Sequence, residues 1–113
     1  MTLSKLEWGL ADMTHQQFLA YWRDHHAPLF MEQPIVKKTV RRYTQSRTLA
    51  ETPAGLPSAP FDGIAQLWFD NPAGFVEYLQ SPNYRDVIRP DENKFVDQTR
   101  VQFLFSEETP MFG

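Results

Sequence analysis

Histidine is the side chain whose ordinary pKa of about 6.5 lets it exchange protons at neutral pH. His15, His25 and His26 crowd one stretch of this sequence. At ~100° per residue, His25 falls near the middle of an apolar line made by Phe18, Trp22 and Leu29, and His26 falls nearer its edge. A histidine on an apolar face is more often a hydrogen-bonded core group than a catalyst. His15 reads as a solvated residue of a first helical turn. A metal site is not expected, because adjacent histidines point about 100° apart on a helix and no carboxylate stands at a partner spacing. Asp62 opens an otherwise apolar segment, where it either faces a ligand or makes the turn before Gly63. Tyr21 and Tyr43 offer phenolic hydroxyls to a ligand, or pack. Asp91 and Glu92 suit a helix start, where acids meet the positive end of the helix dipole.

Nucleophilic chemistry has little support. The chain has no cysteine, no Gly-x-Ser-x-Gly elbow and no glycine-rich phosphate loop. Thiolate catalysis, disulfides, cysteine–zinc sites and iron–sulfur ligation are excluded, and no cofactor is expected. What remains is acid–base chemistry, or binding in a cavity.

The elements that must carry these residues follow from periodicity. Leu3, Leu6, Trp8 and Leu10 alternate imperfectly with Ser4, Lys5, Glu7 and Gly9 and predict a first strand. Thr14 with Gln17 three residues later predicts a capped helix start, and Pro28 predicts its end or a kink. A second strand is expected over Val36–Arg47, then a Pro- and Gly-punctuated surface loop over Thr48–Pro60. Phe61–Phe69 reads as a strong third strand. Asn71-Pro72 opens a helix through Phe75, Val76 and Leu79, and Ser81-Pro82 opens another helical segment. Pro90-Asp91-Glu92 starts a last turn reaching Phe95 and Val96. Val101, Phe103 and Phe105 form the fourth strand.

The order β-α-β-β-α-β predicts an α+β fold, a ferredoxin-like plait with a four-stranded antiparallel sheet and both helices on one face. Residues 1–113 suffice for a single domain. Aromatic residues make up 14% of them, more ring surface than a core this small needs, which points to a ring-lined cavity or a subunit interface. Leu67 and Phe69 face one side of the third strand and Trp68 the other, so the uncovered sheet face should be apolar and buried in a homodimer. The net charge of −3 and the single short basic stretch at Lys37–Arg42 argue against nucleic acid. No segment has the character of a signal peptide or a membrane span, and a cytoplasmic location is expected.

The run Met13-Thr14-His15-Gln16-Gln17-Phe18-Leu19-Ala20-Tyr21-Trp22-Arg23-Asp24-His25-His26-Ala27-Pro28-Leu29 resembles the signature of the EthD family, Phe-x-x-Tyr-Trp followed by His-x-Pro-Leu. Arg42-Tyr43, Phe61-Asp62-Gly63-Ile64-Ala65, Trp68-Phe69, Ser81-Pro82 and Asp91-Glu92 before Phe95-Val96-Asp97 extend the resemblance through most of the chain. The resemblance implies a dimeric α+β barrel and makes His26, rather than His25, the family histidine. His26, Tyr43 and Asp62 then form the expected catalytic set. Tyr21, Trp22, His25, Trp68 and Phe95 form the expected substrate-binding set. The longer segment between His26 and Tyr43, with Pro34-Ile35-Val36-Lys37-Lys38, is similar to members of fungal polyketide pathways. That similarity implies a cofactor-free lyase, a decarboxylase or dehydratase of a hydroxylated aromatic or polyketide-derived acid. The alternatives are an isomerase or cyclase, a cofactor-free oxygenase, or a non-catalytic binding protein.

Overall fold

In the third-strand segment every second residue turns to the same side, and the computed structural model, which describes residues 1–113, shows the result. In β3 (Gly63–Phe69) Gly63, Ala65, Leu67 and Phe69 are buried while Ile64, Gln66 and Trp68 lie half-buried on the other face. β1 (Thr2–Glu7), β2 (Val40–Arg47) and β4 (Gln102–Ser106) complete one antiparallel sheet in the order β2-β3-β1-β4. This is the expected plait.

The first helical region starts as the sequence predicts. α1 (His15–Tyr21) is capped by Thr14, whose hydroxyl accepts from the Gln17 amide while the Gln17 side chain accepts from the Thr14 amide. Pro28 does not end the helix. Residues Trp22–His26 widen into a π-helical turn in which the Ala27 amide donates to the Trp22 carbonyl, and α2 (Ala27–Glu32) continues beyond it. Proline has no amide proton for the carbonyl four residues back, and the wider turn absorbs that missing bond. The same device recurs at Tyr84–Ile88, two residues before Pro90 at the start of α5 (Arg89–Glu92).

The second-strand expectation is corrected at its start. Pro34–Thr39 is a helix, α3, and the strand begins at Val40. Pro34 suits a first helical position, the Asn83 side chain accepts from the Ile35 amide at 3.0 Å, and Val36 and Thr39 are buried three residues apart. α4 (Pro72–Leu79) starts at the Asn71 cap as expected. The core lies between these helices and the inner sheet face, with Phe18, Trp22, Phe30, Leu67, Tyr78 and Phe95 among its larger members.

The outer sheet face is less apolar than expected. Thr2 and Ser4 are buried on it, and Gln66 donates to the Ser4 hydroxyl at 3.0 Å. Trp68 lies there under the Arg42 guanidinium, 4.7 Å from its ring centre, with its indole N–H donated to Glu108. The apolar surplus sits instead on edge strand β4, where Phe103, Leu104 and Phe105 are about half exposed. No helix is long and apolar enough to cross a membrane.

Candidate functional site

The inner sheet face and the helices enclose a cavity of about 300 Å³. β1 contributes Leu3, Lys5 and Glu7 to its wall, and β2, β3 and β4 contribute Tyr43, Ala65, Leu67, Phe103 and Phe105. The π-helical turn and α2 supply Trp22, His26 and Phe30 from the opposite side. Phe75, Tyr78 and Leu79 of α4, with Tyr84, Arg89 and Glu92, close the end. A mostly apolar, ring-lined wall with a few convergent polar groups is the usual form of a small-molecule site.

His26 is buried at 6% exposure, and its Nδ1 lies 2.7 Å from Asp91 Oδ2. The other Asp91 oxygen accepts from the Tyr21 hydroxyl at 2.5 Å. Two donors therefore hold one carboxylate, and that carboxylate fixes the imidazole with its proton on Nδ1. No protein group hydrogen-bonds Nε2, so its lone pair is free for a ligand. Burial lowers the His26 pKa, and the nearby Asp91 and Glu92 only partly offset this. Burial also opposes ionisation of Asp91, but hydrogen bonds from Tyr21 and His26 prevail and hold it below its ordinary range. At neutral pH the pair is a neutral imidazole beside a carboxylate, the form of a general base.

Tyr43 also faces the cavity. Its hydroxyl accepts from Gln45 Nε2 at 2.6 Å, which leaves the phenolic proton to be donated, and burial raises its pKa. A second polar cluster lies on the β1 side. Lys5 Nζ is 2.6 Å from Glu92 Oε2 and 3.4 Å from Glu7 Oε1, and the Tyr84 hydroxyl donates to Glu92 at 3.2 Å. No group of three His, Asp or Glu side chains converges as metal ligands would.

Of the residues expected from sequence, His26, Tyr43 and Trp22 share the cavity wall. Tyr21 stands behind it as the anchor of Asp91. Phe95 is fully buried and packs on the His26 ring, 4.9 Å between centres, rather than meeting a ligand. His25 is exposed, stacked on Tyr21, with Nδ1 3.5 Å from Asp91 Oδ1. The helical wheel fails here because the π-helical turn shifts the phase before His25 and His26. Trp68 lies on the wrong face of the sheet.

Asp62 lies outside the cavity. Its Oδ2 accepts from the Gly9 amide at 2.6 Å and its Oδ1 stands 2.6 Å from His15 Nδ1. His15, read as solvated, also reaches the Thr48 carbonyl through Nε2 at 3.0 Å. The carboxylates at the site are Glu7 and Glu92, which line the cavity, and Asp91, which holds His26 from behind. The sequence reads Asp91 and Glu92 as helix-start acids and Glu7 as a residue of the first strand. For Glu7 the signal was the spacing of Leu3, Lys5 and Glu7, which puts it on one face of β1 with a cavity-lining leucine.

The chain matches the model of the EthD domain over residues 10–99. Three solved structures share its fold. An EthD family protein of Bacillus halodurans C-125 aligns with a TM-score of 0.70 at 18% identity, over 96% of this chain and 97% of that one. An EthD-like protein of Ralstonia eutropha JMP134 gives 0.61 at 19% identity, over 91% and 88%. HapK of Hahella chejuensis gives 0.55 at 9% identity, over 100% and 99%. Among curated proteins no match was found.

Proposed function

The chain belongs to the EthD family, and on that premise we propose that it is a lyase in which His26 moves a proton on a hydroxylated aromatic or polyketide-derived acid held in the ring-lined cavity. The carrying observation is the 2.7 Å contact from Asp91 to His26 Nδ1, which leaves Nε2 free on the cavity wall. In a dehydration, Nε2 takes the proton from the carbon beside a carbonyl as water departs. In a decarboxylation, the same group in its protonated form reprotonates the carbanion left by CO₂. Either route needs an electron sink in the substrate, which a β-keto or ortho-hydroxy acid supplies. Tyr43 donates to a substrate oxygen, and the rings of Trp22, Phe30 and Phe75 take the planar body of the molecule.

Two further features belong to this reading. The half-exposed Phe103, Leu104 and Phe105 on the edge strand support a homodimer. The absence of cysteine suits a reducing cytoplasm.

His26→Gln keeps a donor for Asp91 and removes the base. Turnover of a hydroxylated polyketide-type acid should fall by about 10²–10⁴, with the dichroism spectrum unchanged. Retention of wild-type turnover in His26→Gln would overturn the reading.

A further inference from the structure

Lys5, Glu7 and Glu92 are buried together on the cavity side of β1, their side chains 9%, 4% and 4% exposed. Two carboxylates share one ammonium, and they share it unequally. Glu92 takes the 2.6 Å contact with Lys5 and a second hydrogen bond from Tyr84. Glu7 keeps only a 3.4 Å contact through Oε1, and its Oε2 is buried with no hydrogen-bond partner. A buried ionised carboxylate with an orphan oxygen is costly, whereas a protonated one needs only an acceptor for its single O–H. Charge counting thus leaves the proton on Glu7, because Lys5 is already matched by Glu92.

We propose that Glu7 is a second proton-transfer group of this cavity, a carboxylic acid that donates its proton to an oxygen of the bound ligand while His26 acts as the base. The inference rests on the reading of the cavity as a lyase site and narrows it to dehydration. His26 Nε2 takes the proton from the carbon beside the carbonyl, and that C–H electron pair becomes the new C=C bond. The C–O bond breaks with its pair going to the hydroxyl oxygen, which Glu7 protonates, so that water leaves. The products are the unsaturated compound and one water. The proton on His26 then returns through solvent to Glu7.

The surroundings favour these states. Glu7 rises to about 7, through burial first, with the like charge of Glu92 adding to it and Lys5 opposing. The other titratable groups of the same cavity wall are Lys5 from its own strand, Glu92 and Arg89 from α5, Tyr78 from α4, Tyr84, Tyr43 from β2 and His26. Burial opposes the charge on Lys5, but the close ion pair with Glu92 holds it protonated, so it does not compete as the acid. His26 is pushed the other way, toward the neutral base. A base made more acidic and an acid made less acidic in one cavity are the pairing that lets both work at one pH.

The test uses 1-tetralone, an aryl ketone that accepts a hydrogen bond, and tetralin, the same ring system without oxygen. With the wild-type protein, 1-tetralone should bind about tenfold more weakly at about pH 8 than at about pH 6, as Glu7 ionises. Tetralin should bind equally at both. Glu7→Gln, which donates from an amide at any pH, should make the ketone's binding independent of pH, and His26→Gln should leave the dependence in place. A pH-independent ketone in the wild type, or a dependence that survives Glu7→Gln, overturns the role of Glu7 and leaves the His26 reading standing. Failure of both probes to bind overturns the two together. Should Glu7→Gln not fold, carbon-13 titration of the wild-type glutamate carboxyls decides. One carboxyl titrating near 7 and shifting upward with bound 1-tetralone supports the proposal, and a full set in the ordinary range near about 4.3 overturns it.

Discussion

The Gly63 Cα lies directly beneath the indole of Trp22: a Cβ built at Gly63 would stand 2.6 Å from Trp22 Cζ3 and 3.0 Å from the Ser46 carbonyl oxygen. The glycine is there because a ring of the cavity wall rests on the strand with no room for a methyl group. Gly63→Ala forces either the indole or β2 to move. Overpacking of this kind costs about 1–3 kcal/mol, so the melting temperature should drop. Binding of an aromatic probe should weaken with it, since Trp22 lines the cavity. Unchanged stability and binding would show that the indole is free to shift.

Asp91 serves His26, and Tyr21 serves Asp91, which predicts a graded loss. Asp91→Asn turns the acceptor facing Nδ1 into an amide able to present its donor side, and the imidazole loses its fixed tautomer and orientation. Turnover should fall nearly as far as in His26→Gln. Tyr21→Phe removes one of the two donors that hold Asp91 and leaves the dyad intact. Its loss should be roughly tenfold or less, scaled by a single hydrogen bond of about 1–1.5 kcal/mol. Steady-state rates at one pH check the order. Equal losses in the two variants would mean that the hydroxyl of Tyr21 meets the substrate directly.

The legible part of this molecule was the part that local pattern controls. The alternation of Gly63–Phe69 and the Thr14–Gln17 capping box could be read directly, and with them the element order and hence the plait. Val36–Thr39 misled because β-branched Val36, Thr39 and Val40 interleaved with basic residues fit a strand as well as a helix, and Asn83, which holds the Ile35 amide, is distant in sequence. His26 was legible only from its motif, because the π-helical turn defeats a wheel drawn at a constant angle. Lys5 and Glu7 were hidden for a different reason. Charged residues alternating with apolar ones normally mark a solvent face, and only the helices packed above β1 turn that face into a cavity. Asp91 and Glu92 read as ordinary first-turn acids for the same want of tertiary information.

Glu7, His26 and Asp91 give stability a pH dependence whose signs differ. Glu7 is raised from 4.5 to about 7 by folding, so the native state holds more protons between those values, and stability falls as pH rises through that window. His26 is lowered, so the native state holds fewer protons below about 6.5, and stability falls as pH drops below it. Asp91 is lowered too, and its contribution, present above about 3.9, is lost as pH falls through its folded value. Glu7→Gln removes only the first effect. Its melting temperature should exceed that of the wild type at pH above 7, by the equivalent of about 1–3 kcal/mol for one buried charge removed, and match it near pH 4.5. A variant less stable than the wild type at alkaline pH would show that the Lys5–Glu7 contact is a net stabilising ion pair.

Asp62, expected from sequence in the catalytic set, lies outside the cavity and ties backbone and ring together, which allows stability and turnover to be tested separately. Its carboxylate joins three distant pieces: the Gly9 amide just after β1, the His15 ring at the start of α1, and through that ring the Thr48 carbonyl at the start of the long loop. Asp62→Ala leaves the Gly9 amide without its 2.6 Å acceptor and frees His15 from one side. Losing the acceptor of a partly buried amide costs about 1–3 kcal/mol, and the half-exposed His15 contact adds little. The variant should melt earlier, and the Gly9 amide should exchange its hydrogen faster than in the wild type. The cavity lies elsewhere, so turnover measured well below the melting temperature should stay within a few-fold of normal. A variant with wild-type melting and a hundredfold loss of turnover would return Asp62 to the active site and unseat Asp91 as the partner of His26.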